Sequence, residues 1–353
     1  MAKRKLTRKQ AWRVKKVQEE KARRVVRREE AVADTELGPE ILGRVVSHFG
    51  KLVEVEPVSD HAPVRADTQD NAPKHGGNET SAMQCHFRAN LGSIVTGDRV
   101  VWRRGKSGLG MIEAVLPRSS LLSRPDTRGV LKPVASNIDF IVLVITPEPA
   151  PSSLLIDRYL VAAELQGIDV KLLLNKTDLL NESNQAGINE LLRIYESIGY
   201  DVLRSSVTEK AGLTQLKSHL DHRISAFVGQ SGVGKSSLVN ALLPGTDVKV
   251  GEISEGSKLG RHTTTNARLF HFPSGGDLID SPGIREFGLW HLEKEAIIDG
   301  YREFRPYIGY CKFRDCRHQQ EPGCALREAL AKGEITQMRY DNYFTLVNSD
   351  LTG

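Results

Sequence analysis

Residues 171–180, KLLLNKTDLL, and residues 226–242, AFVGQSGVGKSSLVNAL, decide how this chain folds. Each opens as a short apolar run and gives way to polar residues or glycine, the pattern of a buried strand ending at a loop. In the second stretch, Gly229-Gln230-Ser231-Gly232-Val233-Gly234-Lys235-Ser236 fits G-x-x-x-x-G-K-[ST], between an expected strand and a helix opening at Lys235. Glycines let the backbone wrap closely, so that its N–H groups and the helix N-terminus point at phosphates. Lys235 is expected to contact the β- and γ-phosphates. The Ser236 hydroxyl, with Ser237 beside it, is expected at Mg²⁺. The alternative is an ordinary glycine-rich turn, which the strand and helix on either side disfavour.

The first stretch supplies Asn175-Lys176-Thr177-Asp178. A carboxylate at Asp178 can accept hydrogen bonds from both the ring N–H and the amino group of guanine. Adenine offers an acceptor there and no amino group, which would leave the carboxylate unpaired. Asn175 would brace the loop and Lys176 would lie along the base. Taken alone, these four residues fit a surface turn equally well; beside a phosphate loop on a sheet edge they read as base recognition. Ser205 and Ser206, ending DVLRSS, would back the guanine.

LIDSPG places Asp280 at a strand end to hold the hydration shell of Mg²⁺, with Gly283 free to meet the γ-phosphate. GRHTTTNA lies between, and Thr264 is favoured among its three threonines as the second magnesium ligand. The residue after DSPG is Ile284, which has no hydrogen-bonding side chain to orient an attacking water. His262 is the nearest candidate for that task in sequence, against the plainer reading of a solvent-exposed loop histidine.

Composition sets the frame. The chain has 353 residues, 39% hydrophobic and 26% charged, enough for two or three domains around buried cores. Its longest apolar run, FIVLVI at 140–145, is far short of a membrane span and suits a buried strand. No secretory signal precedes it, so a cytoplasmic protein is expected. Residues 1–30 hold 13 Lys+Arg and 4 Glu, a charge of +9 against +5 for the whole chain, so the rest is mildly acidic. Such an arm suits a phosphate backbone, or is a solvated tail.

Four regions follow: a basic arm over 1–37, a small β-barrel over 38–120, alternating strands and helices over 121–290, and a helical segment over 291–353. The barrel is expected from GRVVSHFGKLVEVE, QCHFRANL, GDRVVWRR and GMIEAVLP, interrupted by a long polar, mobile loop at 57–81. The alternation that follows builds a mostly parallel, doubly wound sheet. In the last segment, Cys311-x4-Cys316-x-His318-x5-Cys324 supplies three thiolates and one imidazole to one tetrahedral Zn²⁺, a closed structural site. The alternative is a set of buried thiols beside an exposed histidine. Lys312, Arg314, Arg317 and Arg327 would face RNA or solvent, and Cys85 is expected inside the barrel.

The guanine loop precedes the phosphate loop, the reverse of the common order. Joining the old chain ends and cutting after the second switch changes chain order and keeps sheet order, so the motifs still converge on one edge. The order NKTD, SS, GQSGVGKSS, GRHTTT, DSPG resembles the circularly permuted GTPases. With the barrel and the cysteine cluster it resembles the family of bacterial small-ribosomal-subunit-dependent GTPase A, from about residue 38 to 345. The resemblance implies an oligonucleotide-binding (OB) barrel, a permuted P-loop GTPase domain and a zinc domain. It further implies GTP/GDP, Mg²⁺ and one structural Zn²⁺, and late maturation of the 30S subunit through contact with 16S rRNA, with ribosome-stimulated turnover. A cytoplasmic monomer acting on neither membrane nor DNA is expected. The alternatives are an RNA-binding scaffold with a regulatory or vestigial nucleotide site, and a P-loop ATPase, which Asp178 disfavours.

Overall fold

Alternating apolar residues in the N-terminal part form five strands: β1 (Leu37–Phe49), β2 (Leu52–Pro57), β3 (Met83–Phe87), β4 (Arg99–Gly105) and β5 (Gly110–Val115). The computed structural model describes residues 37–49, 52–58, 81–106, 108–125, 130–244, 267–280, 284 and 294–349. The basic arm, most of the 57–81 loop, and the stretches carrying His262, Thr264 and Gly283 lie outside the described residues. The strands pair in the order β1-β2-β3-β5-β4, and β4 returns to β1, which closes the barrel. All its ladders are antiparallel except β3–β5. Every second residue points inward: Val53 with Val55, and Val100 with Trp102, meet Val45, Cys85 and Ile112 in one apolar core. Trp102 is fully buried, and an aromatic side chain so placed contributes roughly 2–3 kcal/mol.

A hairpin of β6 (Leu121–Pro125) and β7 (Leu131–Ser136) follows, an element the sequence pattern does not announce. Asp98, fully buried, ties barrel to hairpin: it accepts from Arg118 Nε (2.7 Å), the Val95 N–H (2.8 Å) and Ser136 Oγ (2.6 Å).

The remaining strands are β8 (Phe140–Ile145), β9 (Asp169–Leu174), β10 (Asp201–Arg204), β11 (Ile224–Val228), β12 (Arg268–His271) and β13 (Asp277–Asp280). They lie in the order β10-β9-β8-β11-β13-β12. All neighbours are parallel except β12 with β13. Helices α1 (Ser153–Glu164), α2 (Gln185–Ile198), α3 (Lys210–Leu220) and α4 (Lys235–Leu242) cover the two faces. FIVLVI is buried along its whole length because the sheet is covered on both sides. Phe140, Val142 and Val144 join one core, Ile141, Leu143 and Ile145 the other. In α2, Ile188, Leu192 and Tyr195 recur at helical spacing and face inward.

After two short 3-10 helices, Lys294–Gly300 and Arg302–Tyr307, come α5 (Ala325–Ala331) and α6 (Gln337–Asn348). Arg339 of α6 is wholly buried against α1. Its guanidinium pairs with Asp157 and donates to Glu303 Oε1 (2.6 Å) and Oε2 (3.0 Å). Burial pushes the Asp157 carboxyl up; Arg339, Tyr195 and Asn342 pull it back toward the charged form. No helix among the described residues is long and apolar enough to cross a membrane.

Candidate functional site

The chain leaves β8 toward β9 on one side and returns as β11 on the other. The strand order therefore reverses between β8 and β11, the place where a sheet of this kind opens a crevice. The loop from Gly229 to Gly234 lies there, between β11 and α4. Two of its glycines are required by contact. Gly229 has φ 135°, and a Cβ on it would fall 2.3 Å from the Val144 carbonyl oxygen. Gly234 has φ 92°, and a Cβ on it would meet Asn175 Nδ2 at 2.5 Å.

That second approach is where the two motifs join. Asn175, at the end of β9, is buried and donates from Nδ2 to the Val233 carbonyl (2.9 Å). Its Oδ1 accepts from Ser205 Oγ (3.2 Å), and its backbone N–H donates to the Ile145 carbonyl (2.8 Å). Lys176 adopts a left-handed backbone, φ 58°, which turns the chain sharply out of the strand. Its ammonium then reaches the Gly232 carbonyl at 2.9 Å. Thus Asn175 and Lys176 clamp the 229–236 loop from the side, although Lys176 and Gly229 stand 53 positions apart in sequence.

Asp178 sits on the 3-10 turn Thr177–Leu179 and is exposed. Ser206, fully buried at the end of β10, donates its hydroxyl to Asp178 Oδ1. The Thr177 N–H donates to the Ser205 carbonyl (3.2 Å), which fixes the turn against the same strand end. The two serines therefore orient the side chains of the NKTD turn. Thr208 lies outside the sequence motifs, and its hydroxyl is 2.7 Å from Ser206 Oγ. No motif marks it, since its position follows from the local turn.

Lys235 Nζ donates to the carbonyls of Gly229 (2.6 Å) and Gln230 (2.5 Å), lying across the loop it follows. Ser236 is half-buried and Ser237 exposed on the first turn of α4, and Asp280 ends β13 half-buried. Ile284 is buried and joins the apolar core that covers α1, so its side chain has no place beside a water.

In the C-terminal segment, the ligand atoms of Cys311, Cys316, His318 and Cys324 all lie within 4.8 Å of one another. Cys311 Sγ is 4.0 Å from Cys324 Sγ and 3.4 Å from His318 Nδ1, and Cys324 Sγ is 3.5 Å from that nitrogen. A tetrahedron of ligands at zinc bond lengths has edges of about 3.5–3.8 Å, so the donors fit such an ion. All four cysteines are free thiols. Burial lowers the pKa of His318, which keeps the imidazole neutral and able to ligate. Backbone N–H groups of His318 and Ala325 donate to Cys316 Sγ and Cys311 Sγ, each at 3.4 Å. Burial pushes the Cys316 thiol up to about 12 and raises that of Cys324, so the thiolate forms depend on a bound metal. Cys85 is buried in the barrel, apart from this cluster.

Residues 115–290 match the family described as RsgA GTPase. A "Small ribosomal subunit biogenesis GTPase RsgA" of Pseudomonas aeruginosa is 53% identical over 347 residues, covering 97% of this chain and 96% of its own. A protein of the same name from Azotobacter vinelandii is 54% identical over 347 residues, with the same coverage of 97% and 96%. Among solved structures, YjeQ from Thermotoga maritima superposes with a TM-score of 0.70 at 32% identity, over 89% of this chain and 100% of that one. YloQ, described as a circularly permuted GTPase, gives 0.66 at 28% identity, over 88% and 94%. Identity of this extent across nearly the whole of both chains makes this protein a member of the RsgA GTPase family, a guanine-nucleotide-binding, GTP-hydrolysing enzyme whose motifs run in permuted order.

Proposed function

We propose that the protein acts in biogenesis of the small ribosomal subunit, as its relatives' names say of them. It binds the 30S subunit and 16S rRNA late in maturation and turns GTP over to GDP and phosphate faster there than alone. The observation that carries the nucleotide chemistry is the junction of Asn175 and Lys176 with the carbonyls of Val233 and Gly232, which holds the NKTD turn beside the phosphate loop.

In this reading Asp178 takes the guanine edge, and the backbone from Gly229 to Ser236 cradles the phosphates. Lys235 exchanges its two loop carbonyls for β- and γ-phosphate oxygens, a charge-assisted bond in place of two neutral ones. The hydroxyls of Ser236 and Thr264 are hard oxygen donors that would ligate Mg²⁺, and the carboxylate of Asp280 would hold its hydration shell. Bound there, Mg²⁺ neutralises phosphate charge. Gly283 meets the γ-phosphate. Zn²⁺ at Cys311, Cys316, His318 and Cys324 is structural, since four protein ligands leave it no open position. The barrel and the basic arm supply RNA contacts, and the protein works as a cytoplasmic monomer.

Ile284 cannot orient water, so His262 takes that part. A switch segment ordered by its partner gives slow turnover in isolation and faster turnover on the subunit. GTP turnover measured with and without 30S subunits tests this. We expect stimulation for the wild type and its loss for His262→Ala. Full stimulation of the alanine variant removes His262 from catalysis, and failure to stimulate the wild type overturns the ribosome-dependent reading.

A further inference from the structure

The hydrogen bonds around Ser206 close an account that includes a residue outside the recognised motifs. A serine hydroxyl has one proton and two lone pairs. Ser206 Oγ contacts Asp178 Oδ1, the Thr208 N–H (3.2 Å) and Thr208 Oγ1 (2.7 Å). The Asp178 carboxylate can only accept, so the one serine proton goes to it. The Thr208 N–H can only donate, which fills one lone pair. Thr208 Oγ1 must therefore donate as well, because Ser206 has no second proton to give. Ser206 is fully buried and cannot exchange these partners for water.

We propose that Thr208 is a positioning residue for guanine selection. Its hydroxyl fills the last lone pair of Ser206, locks the hydroxyl rotor, and commits the serine proton to Asp178. Hydrogen bonds in a chain polarise one another, so the donation from Thr208 also strengthens the bond from Ser206 to the carboxylate. A carboxylate held through one oxygen presents its second oxygen at a fixed angle to a base that donates two N–H groups. The inference rests on the reading that Asp178 recognises guanine, and it adds to that reading the group that holds Asp178 in place.

The isosteric change Thr208→Val removes the hydroxyl and keeps the backbone donor and the β-branched shape. GDP affinity of the full-length protein should fall about two- to ten-fold, the range of one neutral hydrogen bond. The preference for GDP over inosine diphosphate, which lacks the 2-amino group, should shrink, and Thr208→Ser should restore both. In an Asp178→Ala background the Thr208→Val penalty should vanish, because the chain it completes has lost its end. A penalty of equal size with and without Asp178 would overturn the proposal and make Thr208 a support of the loop alone. So would unchanged GDP affinity in Thr208→Val. If Asp178→Ala itself keeps the full preference for GDP, the base-recognition reading fails first, and the positioning role falls with it.

Discussion

Asp178 is exposed and fastened through one oxygen, so its function turns on the identity of two atoms. Asp178→Asn replaces an acceptor with a donor at nearly constant shape. Xanthine offers a carbonyl where guanine has its amino group, so the variant should lose guanine preference and gain xanthine preference, each by an order of magnitude or more. Paired affinities for GDP and xanthosine diphosphate check this; unchanged preference removes Asp178 from base reading. Gly229 and Gly234 were legible in sequence as glycines of one spaced motif, and the backbone requires them there: each has positive φ, and a Cβ on either would clash. Lys176 was readable as part of a motif, but its bond to the Gly232 carbonyl depends on a left-handed backbone that no pattern states. Thr208 was unreadable for the same reason.

Strands and helices of the nucleotide sheet follow their hydrophobic periods closely, so FIVLVI and the face Ile188, Leu192, Tyr195 were legible. The β6–β7 hairpin was not. Prolines at 125 and 133 interrupt its alternation, and its register slips between Leu122 and Ser123. The partners of Arg339 were also hidden: one arginine in α6 looks like any other until α1 brings Asp157 to it. The cysteine segment shows the opposite case, a spacing that reads as one element because one ion would hold it. Cys316→Ser should abolish stoichiometric Zn²⁺ binding, and loosen the chain around α5 and α6 without loss of GDP binding. Elemental analysis, with hydrogen exchange over 311–348, checks both. Metal-free protein purified without chelators counts against the site. Exchange unaltered in the variant counts against its structural role.

The whole molecule is joined across the barrel and the sheet by a small ionic cluster. His271 of β12 lies between two carboxylates, Nδ1 at 2.6 Å from Asp277 and Nε2 at 2.7 Å from Glu56 of β2, and Arg44 of β1 pairs with both acids. Carboxylates only accept, so both ring nitrogens donate and the imidazole is charged. Asp277 first and Glu56 second raise its pKa from 6.5 to about 9. Because the folded value lies above the unfolded one, this contribution is complete below pH 6.5 and is lost as pH rises through about 9. The ring is half exposed, so the effect is small and screened by salt. Thermal unfolding of His271→Gln should fall below wild type at pH 6 and converge with it above pH 9. A gap that persists at high pH would assign the histidine a packing role. These contacts were illegible in sequence because Glu56 and His271 stand 215 positions apart, as was the particular pairing, β1 with β4, that closes the expected barrel. One bridge, Ser47 with Arg268, lays the barrel along the outer strand of the sheet. Exposed sheet margins template pairing between molecules. Here one margin, β12, has four residues and meets β1 at that bridge, and the other, β10, also has only four, with Asp201 and Arg204 exposed on it. Among the described residues the sheet thus offers a second chain little to extend, which guards against fibre-like self-association.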